Sequence, residues 1–145
     1  MNQNDTIIFS IRALANQIKR FIDKNAVNLD EGLTGMQIAI IGYIGGVEGK
    51  FDVFQKDIEE AFNIRRSSAT RILKFLEQEG YLTRIRDSED ERYKRLDLTK
   101  KSEGLYKKII EDLERNEEVA RKSLTKKEIE TFFKILDKIM KNMSC

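Results

Sequence analysis

The sequence predicts a mainly α-helical fold carrying one small β-hairpin, and three observations support this. No proline occurs in the 145 residues, so nothing of that kind interrupts long helices. Apolar residues recur at steps of three and four over most of the chain. One stretch, residues 82–98, reads instead as two short strands around a polar loop.

The length suits one domain with a real core. Charged residues are 36% and hydrophobic residues 40% of the chain, a mix that fits a helix-rich soluble protein. The net charge of +2 and sequence pI of about 8.6 are too modest to announce a nucleic-acid binder, so any such reading rests on where the charges sit. Histidine is absent, which removes the commonest general base and the commonest transition-metal ligand together. There are no paired carboxylates in an apolar setting, no glycine-rich phosphate loop between strand and helix, and no nucleophile beside a base. The expectation is therefore a non-enzyme with no metal and no cofactor. Cys145 is the single cysteine and the last residue, which excludes an intramolecular disulfide and suits a reducing compartment. A redox role for it and a frayed tail both stay open. The start lacks a basic leader, and the longest apolar run, residues 38–47, is about half the ~20 residues of a membrane span. A cytoplasmic protein without a membrane partner is expected.

The first helix is predicted over residues 5–27. Its Ile7, Ile11, Leu14, Ile18 and Phe21 step alternately by four and three, a narrow seam that needs a partner. Packing within the chain and a subunit interface both satisfy it. Thr34 and Gln37 form a capping box that opens a second helix, apolar nearly all round through Ile38, Ala39, Ile40, Ile41, Tyr43 and Ile44, hence central. Gly45, Gly46 and Gly49 end it. Asp52 with Gln55 reads as the next cap, opening a short helix with Phe54, Ile58 and Ala61 on one face. After a turn at Asn63-Ile64, a helix over residues 65–79 puts Ala69, Ile72, Leu73 and Leu76 on one side. Two short helices joined this closely make a helix-turn-helix.

The other side of that second helix carries Ser67, Arg71, Lys74 and Gln78, with Thr70 beside them. Most polar helix faces are simply solvated. Here, however, Arg65, Arg66, Arg71 and Lys74 precede the first acid, Glu77, although acids would be favoured near a helix N-terminus. Small hydroxyls among arginines suit close approach to a charged groove. Gly80 closes the helix, and residues 82–86 and 93–98 form a hairpin whose loop holds four acids. Residues 63–95 contain nine Lys/Arg against six Asp/Glu, a local +3 in a chain of net +2. Thr99 is read as the cap of a long helix carrying Leu105, Ile109, Leu113 and Ala120. Thr125 and Glu128 box the last helix, in which Ile129, Phe132, Leu136, Ile139 and Met143 repeat the three-and-four seam. Two seams at the two ends favour a dimer interface built from Ile7, Ile11, Leu14, Ile18, Ile129, Phe132, Leu136 and Ile139.

The helix Ser67-Ser68-Ala69-Thr70-Arg71-Ile72-Leu73, running into Leu76-Glu77-Gln78-Glu79-Gly80-Tyr81-Leu82, resembles the MarR family of winged helix-turn-helix regulators. Asp90-Glu91-Arg92 followed by Leu96-Asp97-Leu98-Thr99 looks like that family's wing, and the helix order matches over most of the chain. The resemblance implies one domain spanning residues 1–145, with a winged helix-turn-helix lobe at about 33–99 and N- and C-terminal dimerisation helices at about 5–27 and 100–143. It implies a homodimer on a pseudo-palindromic double-stranded DNA operator, with Ser67, Ser68, Thr70 and Arg71 in the major groove and Lys74 near phosphate. Arg92 would reach the minor groove, helped by Arg84, Arg86 and Lys94, while Arg65 and Arg66 lie at the helix start. Arg65 departs from a good N-cap. A ligand-responsive repressor of transcription is the expected function, with a small-molecule effector of unknown identity. A transcriptional activator of the same fold, or a winged-helix protein-interaction module without sequence-specific DNA binding, is the alternative.

Overall fold

Helix α2 (Gly35–Gly46) lies at the centre of the core in the computed structural model, which describes residues 2, 5–25, 32–85 and 93–144. It follows α1 (Ile7–Asn25) and precedes α3 (Gln55–Phe62), α4 (Arg66–Gln78), an antiparallel pair β1 (Leu82–Ile85) and β2 (Arg95–Leu98), α5 (Lys100–Arg121) and α6 (Lys126–Asn142). The chain divides after Asp112 into two compact units.

In the first unit the capping box predicted for α2 is formed. The Gln37 N–H donates to Thr34 Oγ1 at 3.3 Å and the Thr34 N–H to Gln37 Oε1 at 2.9 Å. Ile40, Ile41 and Ile44 of α2 are buried with Val53, Ile58, Leu73, Leu76, Tyr81, Leu82, Leu96 and Ile109. Tyr43 adds an edge-on ring contact to Phe62, centroids 5.8 Å apart. Gly45 sits where a Cβ would fall 2.4 Å from carbons of the Tyr106 ring, so α2 and α5 meet there by virtue of a missing side chain.

The start of α3 differs from the prediction. Asp52 caps nothing. The helix begins at Gln55 with Phe54 at its N-cap, and the Phe54 N–H donates to Asp57 Oδ2 at 2.8 Å. An acid in the first turn satisfies an orphan donor and the helix dipole together. Phe54 itself is extended, and the Val53 carbonyl accepts from the Leu96 N–H at 2.7 Å. The α3–α4 turn is at Asn63, in the left-handed region at φ 49°, a conformation that asparagine tolerates better than most residues.

Helix α1 has no buried residue, and its predicted seam is open: Ile7 is 60% exposed, and Ile11, Leu14 and Ile18 are exposed too, with Ile8 and Phe9 beside them. Helix α6, in the second unit, opens on the predicted box. The Glu128 N–H donates to Thr125 Oγ1 at 3.2 Å and the Thr125 N–H to Glu128 Oε2 at 2.7 Å. It too has no buried residue. Ile129, Leu136 and Ile139 are half-buried, whereas Phe132 is 52% exposed along with Phe133, Ile135, Met140 and Met143. No helix among the described residues is long and apolar enough to cross a membrane.

Candidate nucleic-acid interface

Helix α4 is fixed to the core by Ala69, Leu73 and Leu76, which are fully buried. At 100° per residue this turns Ser67, Arg71, Lys74 and Gln78 outward, and all four are exposed. Arg65 and Arg66 are exposed at its start; Ser68 and Thr70 are half-buried. Arg65 occupies the N-cap in an extended conformation with no side-chain capping bond, and the first turn holds no acid. The orphan N–H groups and positive end of the dipole therefore lie beside two arginines. That arrangement costs local stability and favours an anion.

Three side chains from one turn of chain hold the other end. Gly80, at φ +79°, closes α4, and the Tyr81 N–H returns to the Leu76 carbonyl at 2.8 Å. Thr99 stands immediately before α5, where the sequence places the cap, and its carbonyl accepts the Glu103 N–H at 3.0 Å. Its hydroxyl donates to the Gly80 carbonyl, Ser102 Oγ donates to the Tyr81 carbonyl, and Lys101 Nζ donates to the Glu79 carbonyl at 3.0 Å. Lys101 also lies 4.3 Å above the centre of the Tyr81 ring. Carbonyls at a helix C-terminus attract such donors.

The wing departs most from expectation. Strand pairing sets Leu82 opposite Leu98 and Arg84 opposite Leu96, while Thr83 with Asp97 and Ile85 with Arg95 face the other way. Arg84 therefore points inward: its side chain is 5% exposed and Nε lies 3.0 Å from Glu77 Oε2 of α4. Lys94, two residues before Leu96, is 7% exposed. Neither is the open cation that the sequence predicts, because period-two alternation from Leu82 and Leu96 carries both to the core face. Arg84 instead braces the wing against α4. Arg95, which the sequence reading did not select, is on the outward face and forms a two-point pair with Asp97, Nε to Oδ1 at 3.1 Å and Nη2 to Oδ2 at 3.1 Å. Arg86 and Arg92 lie outside the described residues, as do Asp90 and Cys145.

Sequence reasoning also missed Gln55. It is 1% exposed, and its Nε2 donates to Thr70 Oγ1 at 2.8 Å. A glutamine in a first turn reads as a solvated or capping residue, and only the tertiary fold shows it facing α4.

A surface of guanidinium, ammonium and hydroxyl groups on a fixed helix can bind phosphate and base edges; it offers no nucleophile with a base. A model of the MarR family matches residues 31–92. The crystal structure of the transcription regulator MarR from Oenococcus oeni PSU-1 is 31% identical to this chain, covers 94% of it and 99% of its own length, and has a TM-score of 0.81. The chain belongs to the MarR family. Members of this family are transcriptional regulators, not enzymes, and the mainly helical fold with a two-stranded wing is the family's. The S. aureus MepR–DNA complex shares that MarR fold at a TM-score of 0.82, with 21% identity over 99% of this chain and all of that one. An uncharacterized HTH-type transcriptional regulator of Bacillus subtilis, YybA, is 29% identical over 91 residues, which span 63% of this chain and 61% of that relative.

Proposed function

We propose that this MarR-family chain is a homodimeric repressor that recognises a pseudo-palindromic DNA operator through α4. The observation that carries the reading is the exposed face of Ser67, Arg71, Lys74 and Gln78 beyond an acid-free first turn with two further arginines. Arg71 would read a base edge, Ser67 would pack close to the groove floor, and Lys74, Arg65 and Arg66 would neutralise phosphate. Arg95, Arg86 and Arg92 would serve the wing, with Arg84 as its brace.

The dimer is supported by the uncovered apolar faces of α1 and α6, which a second copy of the chain would bury. Two lobes would engage successive major grooves about 34 Å apart. A small-molecule effector that altered this spacing would release the DNA. It would need to favour one state by a few kcal/mol to move the population appreciably.

Selection from a random duplex pool, followed by titration of the enriched duplex, tests this. Arg71→Ala should cost about 1–3 kcal/mol on the enriched sequence. Lys74→Ala should weaken enriched and random duplexes alike and reduce the salt slope by about 0.9. Unchanged salt-dependent affinity in both variants would refute the assignment.

A further inference from the structure

We propose that Gln55 is a positioning residue for α4, and that Thr70 works through Gln55 instead of reading a base. The proposal rests on α4 being the DNA-reading helix.

The amide of Gln55 reaches two successive turns of α4. Its Nε2 lies 2.8 Å from Thr70 Oγ1 and 3.4 Å from the Arg66 carbonyl. Arg66 and Thr70 are one turn apart on the same side of the helix, and each immediately precedes an outward residue, Ser67 or Arg71. The Arg66 carbonyl points along the axis toward Thr70, so a single buried donor holds α4 at one point, beside the start of its exposed face. A roll that broke this contact would swing Ser67 and Arg71 together.

The polar cost of the arrangement indicates that stability is not its purpose. Gln55 Oε1 and, one turn further along α3, Glu59 Oε2 are buried with no hydrogen-bond partner among the described residues. Buried polar atoms of this kind are rare and destabilising. A methionine of the same length would fill the space without that cost. A glutamine kept in such a place fixes geometry. Bidentate reading of a base pair by Arg71 is sensitive to the helix's angle, whereas phosphate attraction is not. Gln55 should therefore govern sequence preference with little effect on non-specific affinity. Thr70, half-buried with its hydroxyl oxygen engaged, is a poor candidate for a base contact of its own.

The test uses the full chain and four variants: Gln55→Met, Thr70→Val, both together, and Thr70→Ser. Wild-type protein first enriches its preferred duplex from a random pool, and each variant is then titrated against that duplex and a random one. Gln55→Met and Thr70→Val should each lower the preferred-to-random affinity ratio about tenfold with the salt slope on random duplex unchanged. The double variant should be no worse than either single one, and Thr70→Ser, which retains the hydroxyl, should keep the wild-type ratio. Additive losses would overturn the proposal by showing that Thr70 touches the base itself. A wild-type ratio in Gln55→Met or in the near-isosteric Thr70→Val would overturn it too, and the second variant decides the matter if the first does not fold. A wild-type chain that enriches no duplex would remove the DNA reading on which all of this rests; a wild type that enriches one, alongside variants that match it, would remove only the positioning role.

Discussion

Single residues here act through what they exclude as much as through what they contact. Gly45 and Gly46 are neighbours in the last turn of α2, yet a Cβ at the first would meet the Tyr106 ring at 2.4 Å and Leu98 Cδ1 at 3.1 Å, while one at the second would meet only Tyr106 Oη at 3.7 Å. Gly45→Ala should therefore destabilise the protein by about 1–3 kcal/mol through overpacking. Gly46→Ala should be neutral or slightly stabilising, because alanine is the better helix former. Thermal unfolding of the two variants separates them, and equal midpoints would refute the close-approach account. Nothing in the sequence distinguishes these glycines. Both read as helix terminators, since the ring that discriminates between them belongs to a helix sixty residues further on.

Whole elements were legible where the signal is local. The boxes at Thr34 and Thr125 close as read, because cap and partner are three residues apart and need no tertiary help. Asp52 failed as a cap because a competing acid, Asp57, lies inside the helix and because the Val53 carbonyl pairs with β2. The inward turn of Arg84 and Lys94 was available from strand alternation and was outweighed by their charge. The Glu77–Arg84 pair was not available, since it requires knowing how the wing folds back on α4. The α6 box also makes a pH prediction. The Thr125 N–H and hydroxyl hold the Glu128 carboxyl below its usual range. A depressed folded-state pKa contributes stability that is present above the unfolded value and is lost as pH falls through the folded one. The first turn of α6 should therefore loosen on acidification below the ordinary glutamate range. Glu128→Gln should flatten that dependence when amide exchange of the first turn is followed against pH. A wild-type first turn insensitive to acid would contradict it.

At the level of the molecule, the winged helix-turn-helix lobe was legible because its core pattern is dense and local, whereas the two terminal seams could be recognised only as needing cover. Ile7, Ile11, Leu14 and Ile18 remain exposed on α1, and Phe132 on α6, while Ile129, Leu136 and Ile139 are half-buried. Each helix thus carries an uncovered apolar face, and faces of this kind mark interaction surfaces. The chain should therefore sediment as a dimer at micromolar concentration. Leu14→Glu combined with Phe132→Glu should shift it to monomer and weaken DNA binding with it, since a single lobe of modest charge loses the second half-site. A stable folded wild-type monomer would eliminate the dimer.

The three bonds from Thr99, Lys101 and Ser102 to the carbonyls of Glu79, Gly80 and Tyr81 make the end of α4 and the head of α5 a single stiff joint. Helix α5 runs on from that joint, and as far as Asp112 it belongs to the same compact unit as α4. Within that unit, a change of tilt at the head of α5 would carry the end of α4 with it.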